Sequence, residues 1–251
     1  MRLSFALLAL CAVLPARLHA AWTFSDAEAR PAPAGLDFTQ RRASDGTDSA
    51  QLHIVSFAAR THTLAVMDNP AGDFDAAGAA RKRGALAAVN GGYFHPDRTP
   101  LGLVVRQGVE IHPLEKARLL SGLVVVTNGA VALRRPAEFK ASRAVGEALQ
   151  AGPFLVDGGK AVAGLDRTRS AARTVVFTDG AGRCGVLICK SVTLAQMAAL
   201  LATPGLLPAG KISRALNLDG GSSTALWVRG DPPFYVREWK SVRNYLAIVP
   251  R

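Results

Sequence analysis

Leu216-Asn217-Leu218-Asp219-Gly220-Gly221-Ser222-Ser223-Thr224 reads as a short buried strand that runs into an acid, a glycine pair and three hydroxyls. Working upstream, 184–189 is an apolar strand, and Ser191 or Thr193 then caps a helix through Leu194, Met197, Ala198 and Leu201. The unit from Val186 to Leu218 is therefore strand, helix, strand, the natural place for a parallel crossover. The rest of the chain is mostly short strands. Alternation or apolar runs place them at 51–57, 63–67, 86–89, 154–156, 225–228 and 245–249. Gln107-Gly108, Asn128-Gly129 and 179–182 mark three hairpins. Helices are expected at 74–84 and 143–149. Many strands with few helices predict an α+β fold, a single domain with mixed, largely antiparallel sheets.

A second segment repeats the opening design: Val89-Asn90-Gly91-Gly92-Tyr93-Phe94. Paired glycines allow positive φ and let backbone approach a ligand, and consecutive amides can form an anion-binding nest. Either segment alone could be an ordinary Asn-Gly or Asp-Gly turn. Two polar glycine loops at the ends of buried strands favour a binding site.

The chain has 251 residues, enough for one well-buried domain, and 49% of them are hydrophobic, which excludes a disordered chain. Met1-Arg2, the apolar run 3–15 and Leu18-His19-Ala20 read as a signal peptide, 1–20. The run is short for a membrane anchor, so no stable span is expected after cleavage. Leu10 stands where a lipoprotein signal needs a small residue before Cys11. The expected location is periplasmic or secreted. A polar N-terminal segment, 21–50, precedes the main domain at 51–251. Loss of Arg2 and Arg17 lowers the net charge from +11 to +9. Such a chain favours anionic partners. Its basic residues are dispersed without interleaved aromatics, which disfavours nucleic acid. Cys184 and Cys189 remain; on a straight strand they point to opposite faces, so a disulfide between them would need a bulge.

Asn90-Gly-Gly-Tyr-Phe94, Pro100-Leu-Gly102, Ala151-Gly-Pro153, Arg173-Thr174 and Asn217-Leu-Asp-Gly-Gly-Ser-Ser-Thr224 occur in the order seen in the phosphodiester glycosidases. Over about residues 50 to 250 the chain resembles that family, relatives of the lysosomal uncovering enzyme. Ser222 stands where the family often has a third glycine, and Ala172 where it often has proline. The resemblance implies a hydrolase acting on a sugar-1-phosphodiester or another anionic, phosphate-linked glycan, such as an envelope glycan or exopolysaccharide.

Breaking a sugar–O–phosphate bond at the anomeric carbon develops oxocarbenium character on the ring. The leaving phosphate needs donors and a cation more than a proton. Arg173 is the candidate clamp, since its fork matches phosphate. Gly220, Gly221, Ser222 and Ser223 are candidate donors. Asp219 would act as nucleophile, base or oxocarbenium stabiliser. Asn90 would orient the substrate beside Gly91 and Gly92, and Tyr93 and Phe94 would offer an apolar platform. Each has a plainer role available: a turn cap for Asp219, an ion pair for Arg173, core packing for Phe94. Asp97, Glu110, Asp157 and Asp166 are open choices for a second carboxylate, and His95 could sit at the site mouth.

No metal or cofactor is called for, since neither an HExxH pair nor an EF-hand loop is present. A serine triad lacks its G-x-S-x-G elbow. Two other readings stand beside the glycosidase: a non-catalytic exopolysaccharide-binding or accessory protein, and a phosphodiesterase that attacks phosphorus.

Overall fold

The computed structural model describes residues 21–251, so the expected signal segment lies outside the described residues. Three antiparallel sheets surround one apolar core. The largest has nine strands, with Ala171–Thr178 between Arg183–Val192 and Arg214–Asn217. The second runs Phe234–Val236, Leu226–Val228, Ala87–Asn90, Asn244–Pro250, His62–Asp68. The third is centred on Val145–Ala151, flanked by Gly122–Thr127 and Val104–Arg106. Alternation explains the layering. In Ala171–Thr178, Val176 faces the shared core while Val175 and Phe177 face outward.

Each outward apolar face needs a cover. Helix Leu194–Ala202 covers the large sheet through Met197, Ala198, Leu200 and Leu201, and Thr193 and Gln196 cap it reciprocally. Helix Ala76–Arg83 covers the second sheet with four buried alanines, started by Asp75 and stopped by Gly84 at φ 66°. No described helix is long and apolar enough to cross a membrane.

The fold is predominantly β, so the α+β expectation holds with only these two α-helices among the described residues. The strands at the two ends of the crossover, Arg183–Val192 and Arg214–Asn217, do run parallel. Ala171–Thr178 lies between them, so every hydrogen-bonded strand pair among the described residues is antiparallel. The helix expected at 143–149 is instead the strand Val145–Ala151, at the centre of its sheet. Glu147 explains the override: its buried carboxylate accepts the Val66 amide at 3.1 Å, a bond to a neighbouring sheet that helix propensity does not anticipate. Residues 21–50 contribute Thr23–Phe24, Glu28–Arg30 and Leu36–Ser44 to the large sheet. Gln107-Gly108 and Asn128-Gly129 make the expected hairpin turns, all four at positive φ. Cys184 and Cys189 are free and lie on opposite faces of their strand.

Candidate functional site

Asn90 ends a fully buried strand of the second sheet. Asn217 ends Arg214–Asn217 of the large sheet, and residues 218–225 then carry the chain to Leu226–Val228 of the second. The two glycine loops therefore meet at the seam between sheets, as their shared design suggests. The Asp219 amide donates to the Gly91 carbonyl at 3.0 Å. Asn90 Nδ2 donates to the Asp219 carbonyl at 2.7 Å, while its Oδ1 accepts the Thr174 hydroxyl at 2.6 Å and the Ala225 amide at 3.1 Å. Asn90 is 0% exposed, so its side chain joins the two loops and does not face a ligand.

Tyr93 stands over the same seam. Its hydroxyl donates to the Gly152 carbonyl at 2.6 Å, with the Leu218 carbonyl at 3.2 Å, and accepts from Asn217 Nδ2 at 3.0 Å. Burial, and then the charge of Asp219, push its phenol above the ordinary range, so it stays protonated. The Asp219 carboxylate is half-buried. Burial raises its pKa, against bonds from the Ser223 hydroxyl and the Gly220 amide and the charge of Arg169.

Arg173 is buried and makes no salt bridge to any described carboxylate. Its Nε donates to the Val192 carbonyl at 3.0 Å and its Nη2 to the Arg169 carbonyl at 2.6 Å. It thereby fastens the exposed loop that carries Arg169, the cation whose charge reaches Asp219. Asp166 closes that loop, accepting the amides of Thr168 and Arg169. The Asp219 carboxylate and the Arg169 and Arg173 guanidinium groups thus all act electrostatically on the Tyr93 phenol at a loop junction, and Arg169 acts on Asp219 as well. The set can face positive charge at one reacting atom while taking up negative charge at its neighbour.

The first loop departs from the expected anion nest. Gly91 and Gly92 are buried, and their amides go to Asn244, to its carbonyl at 2.9 Å and its Oδ1 at 2.8 Å. A side chain at Gly91 would run into Asn244, so glycine serves a close backbone approach here. Gly220 is likewise closed in, since an added Cβ would stand 2.6 Å from the Ala172 carbonyl. Its amide meets the carboxylate of Asp219. Gly221 and Ser222 are exposed and Ser223 is buried. Phe94 packs against the core of the second sheet with Arg98 over its ring at 5.7 Å, which is the packing role.

Among the other carboxylates, Asp157 pairs with Arg135 and Arg214, and Asp97 caps Thr99 in an exposed turn beside exposed His95. Glu110 is exposed on an edge strand, leaving Asp166 as the one on a loop of the site. Arg169, Asn244 and Trp239 were not foreseen, and Asn217 stands in the quoted motif without an assigned role. Of the first three only Arg169 carried a signal, the Asp-x-Thr turn beside it.

Beside the second loop lies an open cleft of about 720 Å³, bordered by Ala172, Lys190, Ser191, Gly221, Ser222 and Trp239. Its size falls within the roughly 300–1,000 Å³ typical of ligand sites. Asp219 and Arg173 do not line it.

A family model described as phosphodiester glycosidase matches residues 83–249. No curated protein matches the chain. Among solved structures, a hypothetical protein from Synechocystis aligns with a TM-score of 0.61 at 17% identity; the alignment covers 86% of this chain and 62% of that one. The catalytic domain of zebrafish N-acetylglucosamine-1-phosphodiester alpha-N-acetylglucosaminidase, auto-inhibited by its pro-peptide, aligns with a TM-score of 0.64 at 17% identity, covering 92% and 89%. At such identities these two neighbours speak for the fold alone.

Proposed function

The chain belongs to the phosphodiester glycosidase family, and from that premise we propose that it is an exported hydrolase cleaving the glycosidic bond of a sugar-1-phosphodiester. The substrate class includes phosphate-linked envelope glycans and exopolysaccharides. The observation that carries the reading is the junction of the two glycine loops, which sets Asp219 beside Tyr93 next to the Arg169 loop that Arg173 fastens. The zebrafish relative is named for the same class of bond.

In this mechanism the bond between the anomeric carbon and the phosphate oxygen breaks, and its electron pair leaves with the phosphate. Water supplies the new C–O bond, and its proton passes to a base or to solvent. Asp219, ionised, faces the ring as positive charge develops. Arg169 and Arg173 take up the charge gathering on the phosphate. A basic chain suits an anionic substrate.

Product analysis with the purified domain tests the reading. Free sugar plus a phosphomonoester supports it. Sugar 1-phosphate would assign attack at phosphorus, and absence of turnover across a panel of diesters would assign the accessory role. Export has its own check. The mass of the protein recovered outside the cytoplasm should correspond to cleavage after Ala20, and retention of residues 1–20 would overturn it.

Arg173→Lys should lower kcat/KM by more than tenfold. Lysine keeps the charge but cannot hold the Val192 and Arg169 carbonyls together, so the Arg169 loop loses its fixed position. Unfolding should cost only about 1–2 kcal/mol less, because the loop is exposed. An early melt with a fully active folded fraction would make Arg173 a structural clamp alone.

A further inference from the structure

Trp239 is 90% exposed, whereas Trp22 and Trp227 are 6% and 8% exposed. An indole in solvent normally belongs to a flexible tip or to a surface with work to do. Here its backbone is tied by its own amide and by the residue before it. The Trp239 amide donates to the Ser222 carbonyl at 2.8 Å. Its neighbour Glu238 is buried, accepting the Tyr245 hydroxyl at 2.6 Å, the Ala76 amide at 2.9 Å and the Tyr235 hydroxyl at 3.0 Å. The ring is thus presented from a fixed backbone. Trp239 borders both the cleft of about 720 Å³ and a hollow of about 420 Å³, and with Arg237 it is shared by the two.

The lining narrows the class of ligand. Lining the same cleft are the hydroxyl-bearing residues Ser191 and Ser222 and the exposed Lys190, which makes no salt bridge to a described carboxylate. Thr224, also lining the cleft, is 5% exposed, and its hydroxyl has no partner among the described residues. Arg237 is engaged by Asp75 at 3.1 Å. A flat ring with one polar rim and one apolar C–H face fits an indole beside hydroxyls and one free cation.

We propose that Trp239 is a stacking platform for pyranose rings of the carrier glycan, the part of the substrate beyond the phosphate. This rests on the glycosidase reading and extends it by giving the enzyme a subsite for a chain longer than one sugar. The glycine loop separates the two ends of the substrate: Asp219 serves the bond and Trp239 holds the carrier.

The test reads binding without turnover. Glucose 6-phosphate, nucleoside monophosphates and 6-phosphorylated gluco-, manno- and galacto-oligosaccharides are titrated into an Asp219→Asn background. Tryptophan emission and calorimetric Kd are recorded, with the background compared to its Trp239→Phe and Trp239→Ala derivatives. At least one oligosaccharide is expected to shift the emission to the blue, to bind more tightly than glucose 6-phosphate, and to bind at least fivefold more weakly with alanine but within about threefold with phenylalanine. A shift by nucleotides and no sugar, no shift at all, or equal Kd in all three proteins would overturn the platform. The two readings fail separately. A blue shift without diester hydrolysis by the wild type would leave the platform and remove the glycosidase. Hydrolysis with no oligosaccharide binding would do the reverse.

Discussion

Asp219→Asn is expected to hydrolyse a sugar-1-phosphodiester at about one hundredth of the wild-type rate or less, the scale on which a single preorganised electrostatic group acts. The swap is nearly isosteric, and the amide oxygen still accepts the Gly220 amide now held by Oδ1. What is lost is a negative charge opposite a developing oxocarbenium ion, so kcat falls while substrate binding changes little. Burial raises the folded pKa of Asp219 above the 3.8 of an unperturbed aspartate. Between those two values the unfolded chain releases its proton first, so ionisation of Asp219 disfavours the folded state as pH rises through that window. Below both values the group has no effect. The asparagine variant should therefore melt at the same temperature as wild type at low pH and no lower at neutral pH. The same upward shift moves the acid limb of the wild-type rate profile above the usual aspartate range. The checks are kcat at saturating substrate, a pH–rate profile and paired melts. A rate within a few-fold of wild type would pass the role to Asp166.

Asn90→Ala should be the most destabilising single change at the site. It removes three bonds from a side chain that is 0% exposed and leaves the Thr174 hydroxyl, the Ala225 amide and the Asp219 carbonyl to find other partners. A buried polar group left unpaired costs about 1–3 kcal/mol, so with partial relaxation the sum is about 3–5 kcal/mol. For a domain of this size the melting temperature should drop by roughly 6–20 °C. Asn90→Asp should behave no better, because a carboxylate has no donor for the Asp219 carbonyl and would set oxygen against oxygen. Thermal melts and limited proteolysis of residues 218–225 read the effect. A melt within 2 °C of wild type in both variants would show that other contacts hold the seam.

The meeting of the loops was legible because each motif follows a buried strand, and such strand ends gather at one edge of a layered fold. The Asn-Gly hairpin and the Thr193-capped helix were legible because their chemistry is local. The strand at 145–151 was not, since Glu147-Ala148-Leu149-Gln150 is a good helical sequence and only its place between two partners makes it a strand. The role of Gly91 and Gly92 was hidden for a related reason. Nothing near them names Asn244, whose side chain arrives from 152 positions away and takes the Gly92 amide. Arg173 was recognised as important, but its bonds lead to backbone, and Arg169 presents the exposed charge.

That distant asparagine lies on the strand Asn244–Pro250, which is inserted between Ala87–Asn90 and His62–Asp68. The first glycine loop therefore has no fixed shape until a strand about 150 positions downstream of it is in register. Such high contact order makes folding slow, because a long loop must close before the pairing repays it. Activity should appear late and all at once during refolding. A fragment ending before residue 244 should keep the large sheet's hairpins and have no working site.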